Sequence, residues 1–524
     1  MTDACHGPRL TVRDRLIGRD PAAALPADSA SVVPRPRAPL PELSMSTSLR
    51  VLPEPQIAEI HETSLAVLAR TGMRIDSERA RRVLEDAGAQ VDHADRRVRF
   101  PRHLVEASLG AAPRQFSLGG RRDGFELRMN GGECTLMPDG EATAFYDPAT
   151  GERRAPTRDD WTNATRLIDT MDEVGAFWQM VTAGDEGPDP ARSVRRWRDT
   201  HALFSKHVQD EIAGPRETAW LLRVLEAIYG SRERVRALHP FSVLFCPVSP
   251  LAMEEAHTDA YLATAGWDIP IALMPMPMMG TSAPAGLIAT AVVGNAEVLG
   301  ALCLVQALSP GTPVIYAPAL AAMEPRTGRW AGGGPEHAIL GAAATEMGRF
   351  YGLPVTASSG GSDHFATGIQ AAYERAINWL LPVLSWPDIL IGPGSLGGAS
   401  TLCLEAMVVD VEVYRACRRV ARGMGSGLGE ADVVEALDQV GPMGDFLARA
   451  ATRDAVRGGE WFMPRLGWHG TWDRFEAAGR PDILDEARDR AFAAIDGHQP
   501  LPFGDGVPEA LDELVAAAEA ATDG

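Results

Sequence analysis

Lysine is almost absent from this chain of 524 residues: among 50 basic residues there is a single lysine, Lys206. The G-x-x-x-x-G-K-[ST] phosphate-binding loop needs a glycine before its lysine, and Lys206 follows Ser205, so this nucleotide-binding motif is excluded. Any Schiff-base or Ser-Lys chemistry would have to use Lys206. No known cofactor motif surrounds it, so an ion pair is a better interpretation than a pyridoxal aldimine.

Cysteine is also scarce. The six cysteines are widely scattered, without a C-x-x-C pair and without histidines at zinc-finger spacing. This pattern is typical of reduced thiols in a cytoplasmic protein, and it argues against a disulfide framework or a zinc site. We therefore expect no metal to be bound by this chain.

Long apolar runs and excess positive charge are lacking as well. No segment has 18 uninterrupted apolar residues, and the N-terminus lacks the apolar centre of a signal peptide. With 70 acidic against 50 basic residues, the formal net charge of -20 repels phosphate backbones and anionic lipid. These absences predict a soluble cytoplasmic protein that binds neither nucleic acid nor a membrane.

The chain divides into four parts by composition and periodicity. Residues 1–48 are rich in Pro, Ala, Arg and Ser, and we expect a disordered tail. Residues 49–155 predict an N-terminal module with two helices, the second capped by Ser77, and a hairpin that turns at Asp147 to Gly151. Residues 156–500 form the main domain, and residues 501–524 a C-terminal helix or tail.

The main domain alternates short apolar runs with helical stretches. Seven runs, near-continuously apolar as in buried parallel strands, lie at 176–183, 202–208, 241–248, 269–276, 312–319, 353–360 and 387–394. With a candidate eighth unit in the last 80 residues, this pattern predicts an α/β fold, a (β/α)8 TIM barrel. A doubly wound open sheet is the alternative.

In such a barrel the active site lies at the carboxyl ends of the strands, so the residues after each apolar run are the informative ones. The densest polar group is Ser358 to Phe365, where Asp363 either contacts a ligand or caps the next helix. The run Gly392 to Gly397 matches G-x-G-x-x-G weakly, because Asp410 falls inside a predicted helix and not at a strand end. Trp178, Tyr316 and Phe365 are candidates for holding a quaternary ammonium, and plain core packing is the alternative for each.

Several separated stretches carry a family resemblance. They are FYDPATGERRAPTRDDW (145–161), SKHVQDE (205–211), SPLAMEEA (249–256), residues 275–286, AEVLGALCLVQALSPGTPVIY (296–316), GGGPEHAIL (332–340), YGLPVTASSGGSDHFATGIQAAYE (351–374) and GPGSLGGASTLCLEAMVVDVEVYR (392–415). In this order and spacing, from about Leu52 to about Ile495, the chain resembles the trimethylamine methyltransferase (MttB-like) superfamily. Its fold is a TIM barrel, as the periodicity independently predicts.

The resemblance implies a reaction and a partner. The founding trimethylamine enzymes carry pyrrolysine, which this sequence lacks, so the chain resembles the non-pyrrolysine branch that demethylates quaternary amines such as betaines. The methyl group would pass to cob(I)alamin on a separate corrinoid protein. Since the tertiary amine leaves neutral, no general acid is needed, and no catalytic side chain is assigned. We also expect a homo-oligomer.

The resemblance also suggests which residues form the site. Tyr316 and Phe365 are candidates for an aromatic cage, and His364 or Lys206 for a partner of a substrate carboxylate. Ser359 and Asp363 complete the predicted substrate site, while Gly360, Gly361, Gly392 and Gly394 would let the corrinoid approach closely. His364 and Phe365 stand where many relatives read Ser-Lys, which suggests a changed substrate. The alternatives are a catalytically silent betaine-binding barrel and a methyltransferase that uses tetrahydrofolate directly.

Overall fold

The computed structural model describes residues 49–147, 150–185, 191–424 and 429–521. The predicted disordered tail, residues 1–48, lies outside these ranges. The first elements are α1 (Glu54–Arg70), β1 (Met73–Ile75), α2 (Glu78–Asp86), β2 (Gln90–Asp92), β3 (Arg97–Arg99), α3 (Arg102–Ala111), β4 (Phe116–Gly119) and β5 (Glu126–Met129). Both predicted helices are confirmed, and the Ser77 side chain accepts a hydrogen bond from the backbone of Ala80 at the start of α2.

Parallel strands form the centre of the structure. They are β6 (Thr135–Met137), β9 (Ala176–Phe177), β10 (His207–Asp210), β11 (Phe241–Phe245), β13 (Ile271–Leu273), β15 (Val314–Tyr316), β18 (Thr356–Ser358) and β19 (Ile389–Ile391). One parallel sheet runs from β9 to β15, and another joins β18, β19 and β6. Single parallel bridges, Tyr316 to Val355 and Leu136 to Val174, connect the two sheets at both edges. The pairing therefore returns to its starting strand.

A helix or helix pair follows each of these strands. These helices are α4 (Arg158–Thr170), α5 (Arg192–Leu203), α6 (Pro215–Tyr229), α7 (Arg232–Leu238), α8 (Glu255–Leu262), α9 (Leu287–Leu308), α10 (Pro335–Tyr351), α11 (Ile369–Ser385) and α12 (Leu404–Ala421). Gly352, with φ 71°, ends α10. Thr157 caps the start of α4, and the carboxylate of Asp160, the third helical residue, accepts a hydrogen bond from the Thr157 backbone N–H.

Short strand pairs and a helical C-terminus complete the described chain. The strands are β7 (Ala144–Tyr146), β8 (Arg153–Arg154), β12 (Ala252–Met253), β14 (Met278–Met279), β16 (Ala321–Met323), β17 (Trp330–Ala331), β20 (Ser395–Leu396) and β21 (Thr401–Leu402). The antiparallel pair β7 and β8 is the predicted hairpin. The last helices are α13 (Glu430–Val440), α14 (Ala450–Arg457), α15 (Trp472–Ala477), α16 (Ile483–Gly497) and α17 (Val507–Ala520).

The α/β prediction is confirmed, with two corrections. The candidate eighth unit in the last 80 residues is wrong, because the described residues there form helices and connecting segments but no strand. The eighth strand is β6, which lies within the range 49–155 predicted as the N-terminal module. The sequence around it, GGECTLMPDGE, has no near-continuous apolar run that would reveal a buried strand. The second run is also displaced: residues 202 and 203 end α5, and the strand begins at His207.

Helix α9 links the central strands to the N-terminal elements. It is long and apolar enough to cross a membrane, but 83% of its most apolar window is buried inside the protein, as in the core helix of a soluble protein. Its buried Asn295 amide donates to Ser64 in α1 (2.9 Å) and to the hydroxyl of Tyr351 in α10 (2.9 Å). Tyr316 in β15 donates to Asn295 Oδ1 (3.0 Å). This network joins three helices to one strand.

Two glycines let the loops after β18 and β19 touch. A Cβ on Gly392 would lie 2.4 Å from Gly360 Cα, and a Cβ on Gly360 would lie 2.5 Å from the carbonyl oxygen of Ile391. Gly392 also has φ 138°, a conformation that side chains disfavour. The neighbouring Gly361 is different, since the nearest atom to its Cβ position is Ser395 Oγ at 3.9 Å.

Replacing Gly392 by alanine should therefore destabilise the protein. We expect the free energy of unfolding to fall by roughly 3 kcal/mol, from backbone overlap and conformational strain together. Urea denaturation followed by circular dichroism measures this change. Gly361→Ala is the matched control, with an expected loss under about 1 kcal/mol. Equal losses in the two variants would contradict the proposed backbone contact.

Candidate active site

A cavity of about 340 Å³ opens where the carboxyl ends of the central strands meet. Its lining comes from the segments that follow β6, β9, β10, β13, β15 and β18, from the end of β19, and from β17, α10 and the loop after β20. This is the end at which the sequence predicts the active site. The volume lies at the small end of the range for small-molecule sites, ~300 to 1,000 Å³.

Three carboxylates line this cavity: Asp139, Glu141 and Glu211. The first two follow β6 directly, and Glu211 follows the last residue of β10. Asp139 accepts hydrogen bonds from the Ser395 hydroxyl (3.0 Å) and the Gly140 backbone (3.1 Å), so the loop after β19 fixes its position. Burial raises the pKa of Asp139 to about 6. Burial, together with the nearby Asp210 and Glu141 charges, raises the pKa of Glu211.

No lysine or arginine is among the residues that line the cavity. The half-buried Arg196 guanidinium lies 3.0 Å from Asp210 and 3.7 Å from Glu141, which lines the cavity. Its positive charge is therefore shared between two carboxylates. The cavity itself keeps an excess of negative charge, which favours a cationic ligand.

Two tryptophans supply aromatic surface to the cavity. Trp178 follows β9 and is 5% exposed, and its ring lies so close to Gly140 that a Cβ there would be 2.6 Å from the ring. Trp330 in β17 makes an edge contact with His337, with ring centroids 5.9 Å apart. Met274 and Met276 line the same space with apolar surface. Tryptophan faces attract cations more strongly than the other aromatic rings do.

His337 presents an uncharged imidazole to the cavity. Burial lowers its pKa to about 4, so the ring is neutral near pH 7. Its Nδ1 lies 2.8 Å from the Leu320 carbonyl oxygen, which can only accept, so Nδ1 carries the proton. The other nitrogen, Nε2, is then a hydrogen-bond acceptor. It has no partner in the described part of the protein.

The loop predicted as the centre of the site contributes in part. Gly360 and Gly361 line the cavity together with Ser358, whereas the fully buried Ser359 packs against Gly341 in α10. The Asp363 carboxylate accepts a hydrogen bond from the Gly332 backbone (2.8 Å) and so supports the lining from outside. It does not cap the next helix, which begins after Gly368.

His364 and Phe365 lie outside the lining. His364 Nδ1 is hydrogen-bonded to the carbonyl oxygen of Ala366 (2.7 Å). The Phe365 ring, 39% exposed, lies 4.9 Å from the Arg329 guanidinium and 5.8 Å from that of Arg153. Arginine side chains thus already occupy this aromatic surface.

Neither Tyr316 nor Lys206 is among the residues that line the cavity. Tyr316 is buried between β15 and α9, where its hydroxyl is bonded to Asn295. Lys206 precedes β10 and therefore lies at the amino ends of the strands, opposite the cavity. Its ammonium donates to the carbonyls of Met171 and Val174, both at 2.6 Å, and burial lowers its pKa to about 8. The structure does not bring either residue together with the cavity lining.

The remaining predicted glycines shape the loop after β19. Gly392 packs against Gly360, and the Gly394 backbone donates to the buried Asp410 carboxylate (2.8 Å). Asp410 in turn forms a buried ion pair with Arg375 (2.7 Å). A corrinoid contact at these glycines stays a prediction.

Sequence reasoning missed five side chains of this cavity: Asp139, Glu141, Glu211, Trp330 and His337. The sequence contains a feature that could have indicated three of them. Glu211 becomes the first residue after a strand once that strand is placed at 207–210, and Asp139 follows β6 in the same way. His337 lies within the stretch GGGPEHAIL. Among the residues that the structure describes, no group of three or more His, Cys, Asp or Glu side chains is arranged to hold a metal ion.

Comparison with known proteins gives a consistent family. Residues 23–522 match the family model described as trimethylamine methyltransferase (MTTB). The chain is 28% identical over 467 residues to the trimethylamine methyltransferase MttB of Desulfitobacterium hafniense (strain DSM 10664 / DCB-2), covering 88% of this chain and 93% of that protein. It is 26% identical over 471 residues to the glycine betaine methyltransferase of Desulfitobacterium hafniense (strain Y51), covering 86% and 97%.

Among solved structures, the monomethylamine methyltransferase MtmB of Methanosarcina barkeri aligns with a TM-score of 0.45 at 11% identity, covering 85% of this chain and 93% of that chain. The match to the family model spans nearly the whole sequence, including every strand of the central ring. The chain therefore belongs to the trimethylamine methyltransferase (MTTB) family and is a methyltransferase.

Proposed function

We propose that this protein demethylates a quaternary or tertiary methylammonium compound and passes the methyl group to cob(I)alamin on a separate corrinoid protein. The observation that carries this proposal is the cavity at the strand ends, whose described lining combines two tryptophans and three carboxylates without a lysine or arginine. Such a lining suits a small organic cation. We infer also that the ring of parallel strands is a (β/α)8 barrel of the TIM type.

The residues of the cavity would act by holding and orienting the cation. Trp178 and Trp330 would face the methylated nitrogen, while Asp139 and Glu211 would attract its positive charge. When the methyl group leaves, the amine becomes neutral, so no side chain has to give or take a proton. The site then accelerates the reaction by fixing the position of the methyl group at the mouth.

The cavity volume supports a corrinoid that approaches from outside. At about 340 Å³ the cavity suits a methylated amine but is too small to enclose a corrin ring as well. In this reaction cob(I)alamin supplies the nucleophile. The rim residues Gly398 and Ala399 present little side-chain volume at the mouth, which suits close approach of a large partner.

Further proposals concern the protein as a whole. We propose the domain limits 49–155, 156–500 and 501–524, with β6 belonging to the barrel. The five cysteines that the structure describes are free thiols, which supports a cytoplasmic location. Large exposed apolar side chains on the last helices and the segments between them support a homo-oligomer; they include Val434, Leu437, Leu447 and Trp472.

Methyl transfer to cob(I)alamin tests the proposed function directly. The purified chain, cob(I)alamin and a set of methylated ammonium compounds should give methylcobalamin, seen by its absorbance, without any need for tetrahydrofolate. A requirement for tetrahydrofolate would favour direct transfer to folate, and binding without turnover would favour a ligand-binding protein.

Trp330→Ala should raise the Kd for the cation roughly 10-fold, because a desolvated cation-π contact is lost.

Tyr316→Phe is the matched aromatic control for that variant. Removing its hydroxyl leaves a buried acceptor on Asn295, so the free energy of unfolding should fall by about 1 to 3 kcal/mol. The Kd for the cation should stay within about twofold of the parent value. A large loss of affinity in Tyr316→Phe, with Trp330→Ala unaffected, would contradict the site proposed here and favour a cage around Tyr316.

Cation binding should also depend on pH through Asp139. Its carboxyl has a pKa of about 6, so it is neutral below that pH and negative above it. Affinity for a permanently charged quaternary ammonium should therefore increase roughly 10-fold as the pH rises from 5 to 7.5. Isothermal titration calorimetry measures this profile. Asp139→Asn should flatten it at the weaker level, and an unchanged slope in that variant would exclude Asp139 as the titrating group.

A further inference from the structure

The charge balance of the cavity bears on which methylammonium compounds it accepts. Betaines carry a carboxylate beside their quaternary nitrogen, and such a group needs a cationic or strongly donating partner. The lining has Asp139, Glu141 and Glu211 but no lysine or arginine, and His337 is neutral. A ligand carboxylate in this space would face three negative groups without a compensating charge.

Arginines of the elements around the cavity are already engaged. Arg196 lies between Asp210 and Glu141, and Arg375 forms a buried ion pair with Asp410. Arg153 Nε donates to the Thr401 hydroxyl (2.9 Å), and the Arg153 guanidinium lies over the ring of Phe365, which is outside the lining. None of these side chains is among the residues that line the cavity.

A separate observation points to a neutral polar group on the ligand. His337 is only 3% exposed, yet it lines the cavity, and its Nε2 has no hydrogen-bond partner among the described residues. Nε2 is not completely enclosed by protein atoms. Because His337 lines the cavity, the open space beside Nε2 is the cavity. Because Nδ1 donates to Leu320, Nε2 can only accept. A buried acceptor without a partner calls for a donor from the ligand.

We propose that the preferred methyl donor is a quaternary ammonium that has a hydroxyl-bearing arm and no carboxylate, as in choline, with the hydroxyl donating to His337 Nε2. This inference rests on the proposed function and narrows it to one class of substrate. The tryptophans and carboxylates would bind the trimethylammonium end, and His337 would recognise the arm. His337 is thus a specificity-determining residue.

Choline and glycine betaine form a matched pair for the test. Both carry a trimethylammonium group on a two-carbon arm, and they differ only in ending in a hydroxyl or a carboxylate. Isothermal titration calorimetry with the full chain should give a Kd for choline roughly 100-fold lower than that for glycine betaine, because the carboxylate is repelled. Demethylation rates with cob(I)alamin should follow the same order. Equal or tighter binding of glycine betaine would overturn the inference.

A variant separates recognition of the arm from binding of the cation. His337→Leu keeps a similar volume but removes the acceptor, so choline should bind roughly 10-fold more weakly. Tetramethylammonium has no hydroxyl, and its Kd should not change in the same variant. An equal loss for both ligands would indicate a general disturbance of the cavity and would contradict the role of His337.

The outcomes also distinguish this inference from the proposed function. If glycine betaine is demethylated faster than choline, the chain is still a methylammonium demethylase, and only the substrate class is wrong. If choline, glycine betaine and tetramethylammonium all fail to bind, and no methylated ammonium compound of the set transfers a methyl group to cob(I)alamin, the proposed function itself fails.

Discussion

The candidate site depends on one pairing, that of β6 with β19. Residues Thr135 to Met137 pair in parallel with Ile389 to Ile391, and the bridge from Leu136 to Val174 continues the ring to β9. This pairing brings Asp139 and Glu141, which are early in the chain, to the strand ends that carry Glu211 and Ser358. Without it the cavity would lose two of its three carboxylates.

The balance of charge in the cavity explains why its acids can coexist. Burial and the neighbouring carboxylates raise the pKa of Glu211, and burial raises that of Asp139, so the charged forms are unfavourable in the free protein. A bound cation would relieve that repulsion. The burial of these acids therefore favours a bound positive charge, and the tryptophans provide the apolar contact that a methylated nitrogen also needs.

Much of the fold was predictable from the sequence. Six of the seven apolar runs contain a whole parallel strand, because strands buried on both faces need near-continuous apolar residues; the second run overlaps β10 only at residues 207 and 208. Strand β6 was missed because no near-continuous apolar run surrounds it in the sequence. The misplaced end of β10 had a larger effect. The predicted run ends at residue 208, whereas the strand ends at Asp210. Lys206, which precedes the strand, was therefore assigned to its carboxyl end, and Glu211 was not recognised as the residue that follows the strand.

The side chains of the site were harder to predict than the strands. Trp178 was among the aromatic residues expected near a quaternary ammonium, and Gly360 and Gly361 belong to the lining. Tyr316, in contrast, sits at a strand end like Trp178 but points to α9, where Asn295 offers a buried acceptor. Strand periodicity gives the end of the central strands at which a residue lies. Whether its side chain faces inward depends on register and on partners from distant helices, such as Asn295.

The most direct test of the central claim is a crystal structure of the protein with tetramethylammonium bound. We expect the nitrogen within ~6 Å of the ring centroid of Trp178 or Trp330, on the side facing Asp139 and Glu211. A cation bound against Phe365 at the rim, or at the amino ends of the strands near Lys206, would contradict the account.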